Sequence, residues 1–188
     1  MWNVDRQTLE ALRAGERRAW EKVLAMCRRQ VFNIAYGFAG NAEDAEDWAQ
    51  EALLQVYRRI GTFRGDADLS TWVYRVTVNV CIGKIRRRKS NTSSLDEMDD
   101  HAMPAIEDPT PSILSREEEA IVRSAVAQLP PKLSPPVILH YFQGLGYDEI
   151  AKVLDIPLGT VKSRINRAKM LLKDMVKEYI MCEEVGSV

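Results

Sequence analysis

Cysteine is scarce: Cys27, Cys81 and Cys182 are scattered over 188 residues, with only His101 and His140 beside them. No zinc-type spacing can be built from these five side chains, so no metal site is expected. An odd, dispersed set of thiols points to a reducing compartment rather than a disulfide framework. Long apolar runs are missing as well. Nothing approaches the roughly 18 residues that a membrane span needs, which sets aside membrane insertion. The opening residues, Met1-Trp2-Asn3-Val4-Asp5-Arg6, lack a basic-then-apolar leader, and the expected location is the cytoplasm. Net charge is almost absent, −1 from 26 Lys and Arg against 27 Asp and Glu. With 46% of residues apolar, the chain has enough core material to exclude general disorder, and its length admits one ordinary domain or two small ones.

The near-neutral total hides a division of charge. Residues 1–90 carry 16 basic and 11 acidic side chains, whereas residues 91–116 carry one basic residue against six acids. Beyond them the basic residues crowd between Lys162 and Lys177. Two basic regions separated by an acidic strip is the arrangement to explain, and the whole-chain isoelectric point conceals it. The strip also reads as a flexible linker. It holds Asn91-Thr92-Ser93-Ser94, prolines at 104, 109 and 111, and no apolar period. This predicts two domains, residues 1–89 and 116–188, joined by an acidic linker over residues 90–115.

Both domains read as helical, giving an all-α fold. Trp20, Val23, Leu24, Cys27, Val31, Ile34, Ala35 and Phe38 recur at three- and four-residue steps, one face of a helix ended by Gly40-Asn41. A short helix carrying Leu9 and Leu12 precedes it. A third helix is expected from Ala42 to Ile60, and a fourth from Ser70, taken as its N-cap, to Lys89. In the second half, a helix over residues 117–129 stops at Pro130-Pro131. Ser134-Pro135 reads as a cap starting a helix to about Gln143. Tyr147–Leu154 and about Pro157–Ile180 complete the chain.

That last pair is a helix-turn-helix candidate. Val161, Ile165, Ala168 and Leu172 form its core stripe, and at about 100° per residue Lys162, Ser163, Asn166 and Arg167 gather opposite. Such groups suit base edges in a major groove, with Arg164 and Lys169 flanking toward phosphates. A solvated basic face is the bland alternative; the short helix, tight turn and polar outward face agreeing together favours DNA. On the third helix, Asp47, Gln50, Glu51, Leu54 and Arg58 share the outward face, and a leucine among polar groups suits protein docking. On the fourth, Arg75, Asn79 and Arg86 fall on one side near the loop from Phe63 to Leu69. With Trp72 and Tyr74, this composition suits unpaired bases.

Several segments together resemble an extracytoplasmic-function (ECF) sigma factor. Asn41-Ala42-Glu43-Asp44-Ala45-Glu46-Asp47-Trp48-Ala49-Gln50-Glu51, Phe63-Arg64-Gly65-Asp66 and Leu69-Ser70-Thr71-Trp72-Val73-Tyr74-Arg75-Val76-Thr77-Val78-Asn79 resemble its promoter-melting domain. Leu129-Pro130-Pro131-Lys132, Tyr141-Phe142-Gln143-Gly144-Leu145, Tyr147-Asp148-Glu149-Ile150-Ala151 and Gly159-Thr160-Val161-Lys162-Ser163-Arg164 resemble its second DNA-binding domain. The resemblance implies a non-enzymatic factor without cofactor that binds core RNA polymerase and promoter DNA, usually under an anti-sigma factor. It implies polymerase docking by Asp47, Gln50, Glu51 and Leu54. It implies −10 recognition and melting by Phe63, Arg64, Gly65, Asp66, Ala67, Asp68, Trp72, Arg75, Asn79 and Arg86. It implies −35 recognition by Lys162, Ser163, Arg164, Asn166, Arg167 and Lys169. Three departures from the family's pattern stand out: Gly83 stands where an acid is usual, Asp155 where the turn usually has glycine, and Ser134-Pro135-Pro136 where charged residues are commoner. Two rival readings exist: a ligand-sensing DNA-binding regulator, and a metal enzyme built on Asp44, Glu46, Asp47 and Glu51. The first half offers no obvious ligand pocket, and no histidine joins those carboxylates.

Overall fold

The computed structural model describes residues 2–90 and 116–185, and every regular element among them is helical. The order is α1 (Arg6–Arg13), α2 (Arg17–Ala39), α3 (Ala42–Arg59), a 3-10 turn (Ile60–Thr62), α4 (Leu69–Ser90), α5 (Arg116–Gln128), α6 (Ser134–Val137), a π-helical turn (Ile138–Phe142), α7 (Tyr147–Leu154) and α8 (Leu158–Val185). Apart from Ser90, which closes α4, the expected acidic linker lies outside the described residues.

In the first domain, α2, α3 and α4 pack mutually, and α1 lies on α2. The apolar stripe of α2 is buried from Trp20 to Phe38, facing Ala45, Trp48, Ala49, Ala52 and Val56 of α3. Small alanines on α3 let the two helices approach closely, so burial of the larger α2 side chains supplies most of the stabilisation. Local chemistry fixes the ends. Gly40 terminates α2 at φ 74° in the left-handed region, and Asn41 caps α3 by accepting from the Asp44 backbone N–H at 3.0 Å.

The fourth helix begins one residue earlier than expected, and Ser70 is not its N-cap. Ser70 is buried, and its hydroxyl accepts from the Trp2 N–H at 3.2 Å. The Leu69 N–H is capped instead by the Asn3 side-chain oxygen at 3.0 Å. A residue 66 positions away in sequence does what a local cap would do. Ser134 is likewise not a cap: it is the first residue of α6, and its side chain makes no capping bond. The single helix expected to Gln143 is four α-helical residues followed by the π-turn. In the second domain α5, α6 and α7 surround α8, and α7 contacts α6 and α8.

Candidate nucleic-acid and protein interfaces

On α3 the structure brings together the residues expected to dock a protein. Asp47, Gln50, Leu54 and Arg58 are exposed, with Leu54 at 49%. Glu51 is half-buried, and its carboxylate accepts from Gln55 at 3.0 Å. Sequence reasoning missed two parts of this face. Tyr57, 54% exposed, leans on Trp20 with ring centroids 4.8 Å apart. Beside Gln50 runs a groove of about 490 Å³ between α2 and α3, lined by Arg28, Arg29, Phe32, Glu46 and Leu53. The apolar period of α2 carries no signal for it, because Arg28 and Arg29 lie off a stripe that runs unbroken from Cys27 to Val31.

The loop between the 3-10 turn and α4 projects Arg64, Gly65, Asp66, Ala67 and Asp68 into solvent, with Gly65 at φ 87°. Phe63 does not join them. It is 5% exposed, its ring meets Trp72 with centroids 5.6 Å apart, and its carbonyl accepts from Arg13 at 2.5 Å. Phe63 therefore anchors the loop to the core rather than offering a ring to a base. Tyr74 is buried too, and desolvation raises its hydroxyl pKa. Trp72 is half-buried. Asn79 and Arg86 are exposed on α4, and Arg75, half-buried, is aligned with them.

In the second domain the tight turn forms as the chemistry requires. Asp155 ends α7 at φ 57°, ψ 47°, the left-handed conformation that Asp tolerates and glycine would adopt freely. The Gly146 N–H is bound by the Glu149 carboxylate at 2.9 Å, closing the start of α7. Along α8, Lys162 is exposed, Ser163, Arg164, Arg167 and Lys169 are half-buried, and the Ser163 hydroxyl donates to the Thr160 carbonyl at 3.0 Å. The Lys169 ammonium lies 6.0 Å from the Tyr141 ring centroid. Asn166 is the exception: it is 5% exposed and belongs to the packed side of the helix. With α5, α6 and α7 all against it, α8 buries a wider arc than a single apolar stripe predicts.

A two-domain, all-helical chain with a helix-turn-helix in its second half is the architecture of a sigma-70-type initiation factor. Residues 24–91 match the model of Sigma-70 region 2, and residues 119–172 that of Sigma-70, region 4. The RNA polymerase sigma-H factor of Pseudomonas aeruginosa is 35% identical, the match covering 88% of this chain and 90% of that protein. The ECF RNA polymerase sigma-E factor of Escherichia coli K12 is 30% identical, over 94% and 96%. The fold is that of CnrH in complex with the cytosolic domain of CnrY, with a TM-score of 0.67 at 21% identity, covering 93% of this chain and 97% of that one. It also matches RpoE of Bartonella quintana in complex with the anti-sigma factor NepR, with a TM-score of 0.61 at 19% identity over 84% and 96%. The chain belongs to the ECF family of sigma-70 factors, which direct promoter-specific transcription initiation by RNA polymerase.

Proposed function

We propose that the chain performs this initiation role as a non-catalytic subunit, with residues 1–89 docking on core polymerase and opening the −10 element, and residues 116–188 anchoring on the −35 element. Residues 90–115 connect the two. The observation that carries the reading is the pairing, in one chain and in this order, of the exposed Asp47–Gln50–Leu54 face with the helix pair α7–α8 across a left-handed turn. The −10 surface is the Arg64–Asp68 loop with Trp72, Arg75, Asn79 and Arg86, Phe63 serving as its anchor. The −35 surface is Lys162, Ser163, Arg164, Arg167 and Lys169.

The site of action is the cytoplasm, where polymerase works. No helix among the described residues is long and apolar enough to cross a membrane. An anti-sigma factor is the expected regulator, in keeping with the NepR complex of the RpoE neighbour. Reconstituting core RNA polymerase with this chain and mapping transcript starts tests the reading. It predicts new starts at a shared promoter pattern; no gain over core alone overturns it.

A further inference from the structure

The surface assigned to the −10 element is held in two ways. Arg75 on α4 donates to the Lys152 and Val153 carbonyls of α7, at 2.5 and 3.1 Å. The exposed loop from Arg64 to Asp68 is held at both ends by residues 2–13. At its first end the Arg13 guanidinium donates to the Phe63 carbonyl at 2.5 Å, and the Phe63 ring rests on Trp72. At its second end the Asn3 side chain makes two bonds. Its oxygen accepts from the Leu69 N–H at 3.0 Å, and its amide nitrogen donates to the Asp68 carboxylate at 2.9 Å. Trp2 closes the same end through its backbone. Its N–H donates to the Ser70 hydroxyl at 3.2 Å, and its carbonyl accepts from the Ser70 N–H at 3.3 Å.

Both sets of bonds come from one seated piece of chain. The last turn of α1 carries Arg13, and Asp5 caps the helix by accepting from the Thr8 N–H at 2.6 Å. Leu12 is buried, and its carbonyl accepts from the Trp20 indole at 3.0 Å, which fastens α1 to α2. Trp2 and Asn3 stand just ahead of that cap. The first N–H groups of a helix have no partner within it, so acceptors for Leu69 and Ser70 fix where α4 starts. The loop is then a short span between two fixed ends. Fixed in its bound shape, it takes a base without a large ordering cost and keeps its polar groups where one base edge fits better than another.

We infer that residues 2–13 form a brace that sets the shape of the −10-reading loop, with Asn3 as the positioning residue that orients Asp68. The inference rests on the assignment of the loop to the −10 element under Proposed function. Asn3 acts through Asp68 and the start of α4, not by touching a base. Loss of its amide donor therefore removes discrimination among bases rather than affinity for DNA in general.

Asn3→Asp tests this. It keeps an oxygen for the Leu69 N–H, Asp capping as well as Asn, but removes the donor and sets one carboxylate against another. Holoenzyme carrying the full chain is titrated with a pre-melted template built from a mapped promoter, and with copies in which single −10 bases are replaced. The ratio of affinities should fall about fivefold or more in Asn3→Asp. Unfolded protein or simple charge repulsion weakens every template alike and leaves that ratio unchanged. An unchanged ratio overturns the inference. In an Asp68→Asn background the amide introduced there can donate back to the carboxylate introduced at position 3. Asn3→Asp should then alter the ratio less than about twofold, and an equal effect in both backgrounds overturns the pairing. Arg13→Met covers a failure of Asn3→Asp to fold, because it frees the Phe63 end from an exposed helical position. It should lower the ratio about threefold or more, and no change there overturns the brace. Arg64→Ala with Asp66→Ala, in the loop itself, separates this inference from the reading beneath it. If that chain keeps the parent's ratio, the −10 assignment of the loop falls and the brace with it. If it loses the ratio while Asn3→Asp and Arg13→Met keep it, the brace alone falls.

Discussion

Arg88, near the end of α4, hydrogen-bonds Asp44 in the first turn of α3 and lies 4.9 Å from the Trp48 ring centroid. One guanidinium thus ties the C-terminal half of α4 to the start of α3 through a charge and a ring. The bonds from Arg88, then Asn41, hold the Asp44 carboxyl below its ordinary value of 3.8, and the same pair raises Arg88.

A carboxylate depressed on folding contributes stability above its unfolded value and loses it as pH falls through the lower folded value. Asp44→Asn should therefore be less stable than the parent at pH 7, and the gap should narrow as pH falls below the ordinary carboxyl value of 3.8. Asp5, lowered by the Thr8 N–H, titrates in the same window and stays in both chains. Because Arg88 is half exposed, the coupling in an Asp44→Asn and Arg88→Ala cycle should be only about 0.5–1 kcal/mol. Thermal melts at pH 7 and pH 3 measure it; a gap unchanged at pH 3 rejects the pair.

Cys27 and Cys81 are both fully buried, and desolvation raises Cys27 to about 11 and Cys81 further. Neither offers a thiolate at neutral pH, and the nucleophile in thiol chemistry is the thiolate. In a Cys182→Ser chain, maleimide labelling under native conditions should be at least a hundredfold slower than in denaturant, and mild peroxide should leave promoter activity unchanged. Fast native labelling would show that the helices open far more readily than their packing implies.

Much of this was legible in the sequence where the cause was local. The bounds of α2, α3 and α7 followed from apolar period, Gly40, Asn41 and the glycines before Tyr147, all within a few residues of the ends they set. The exposed face of α3 with Asp47, Gln50, Leu54 and Arg58 followed from the same period. What escaped depended on distant partners. Ser70 looks like a cap until Asn3 arrives to do that work, and Phe63 looks like a loop aromatic until Arg13 and Trp72 close over it. Asn166 reads as outward on any helical wheel, which carries no count of the helices packed around α8. Arg75 finds its acceptors 77 and 78 residues away.

Gln50 and Glu51 separate docking from folding. Glu51 bonds Gln55 one turn on, worth about 0.2–0.5 kcal/mol, so its loss does not threaten the domain. Gln50→Ala with Glu51→Lys should keep the helical spectrum and melting behaviour while weakening binding to core polymerase tenfold or more, since reversed charge disfavours a complementary contact. Unchanged holoenzyme formation by the folded double variant removes this face from the docking assignment.

The α8 residues and Asn79 should fail in three distinguishable ways. Arg167→Ala should weaken −35 readout by about 1–3 kcal/mol if its guanidinium meets a base edge. Asn166→Ala, at a 5% exposed position, should lower the melting temperature first and affect DNA only through loss of folded protein. Asn79, exposed on α4, is proposed to act on bases that present their pairing edges only once the duplex opens. Capturing such a base offsets an unstacking cost of a few kcal/mol. Asn79→Ala should therefore form closed complex normally and give less open complex, and a pre-melted −10 bubble should partly restore it. The Arg167 variant should be poor at the first step and gain little from the bubble. Permanganate footprinting on duplex and bubble templates, beside melts of all three variants, reads the difference. Equal loss of closed complex by the Arg167 and Asn79 variants, with no response to the bubble, would show that melting and anchoring are not divided between the two domains.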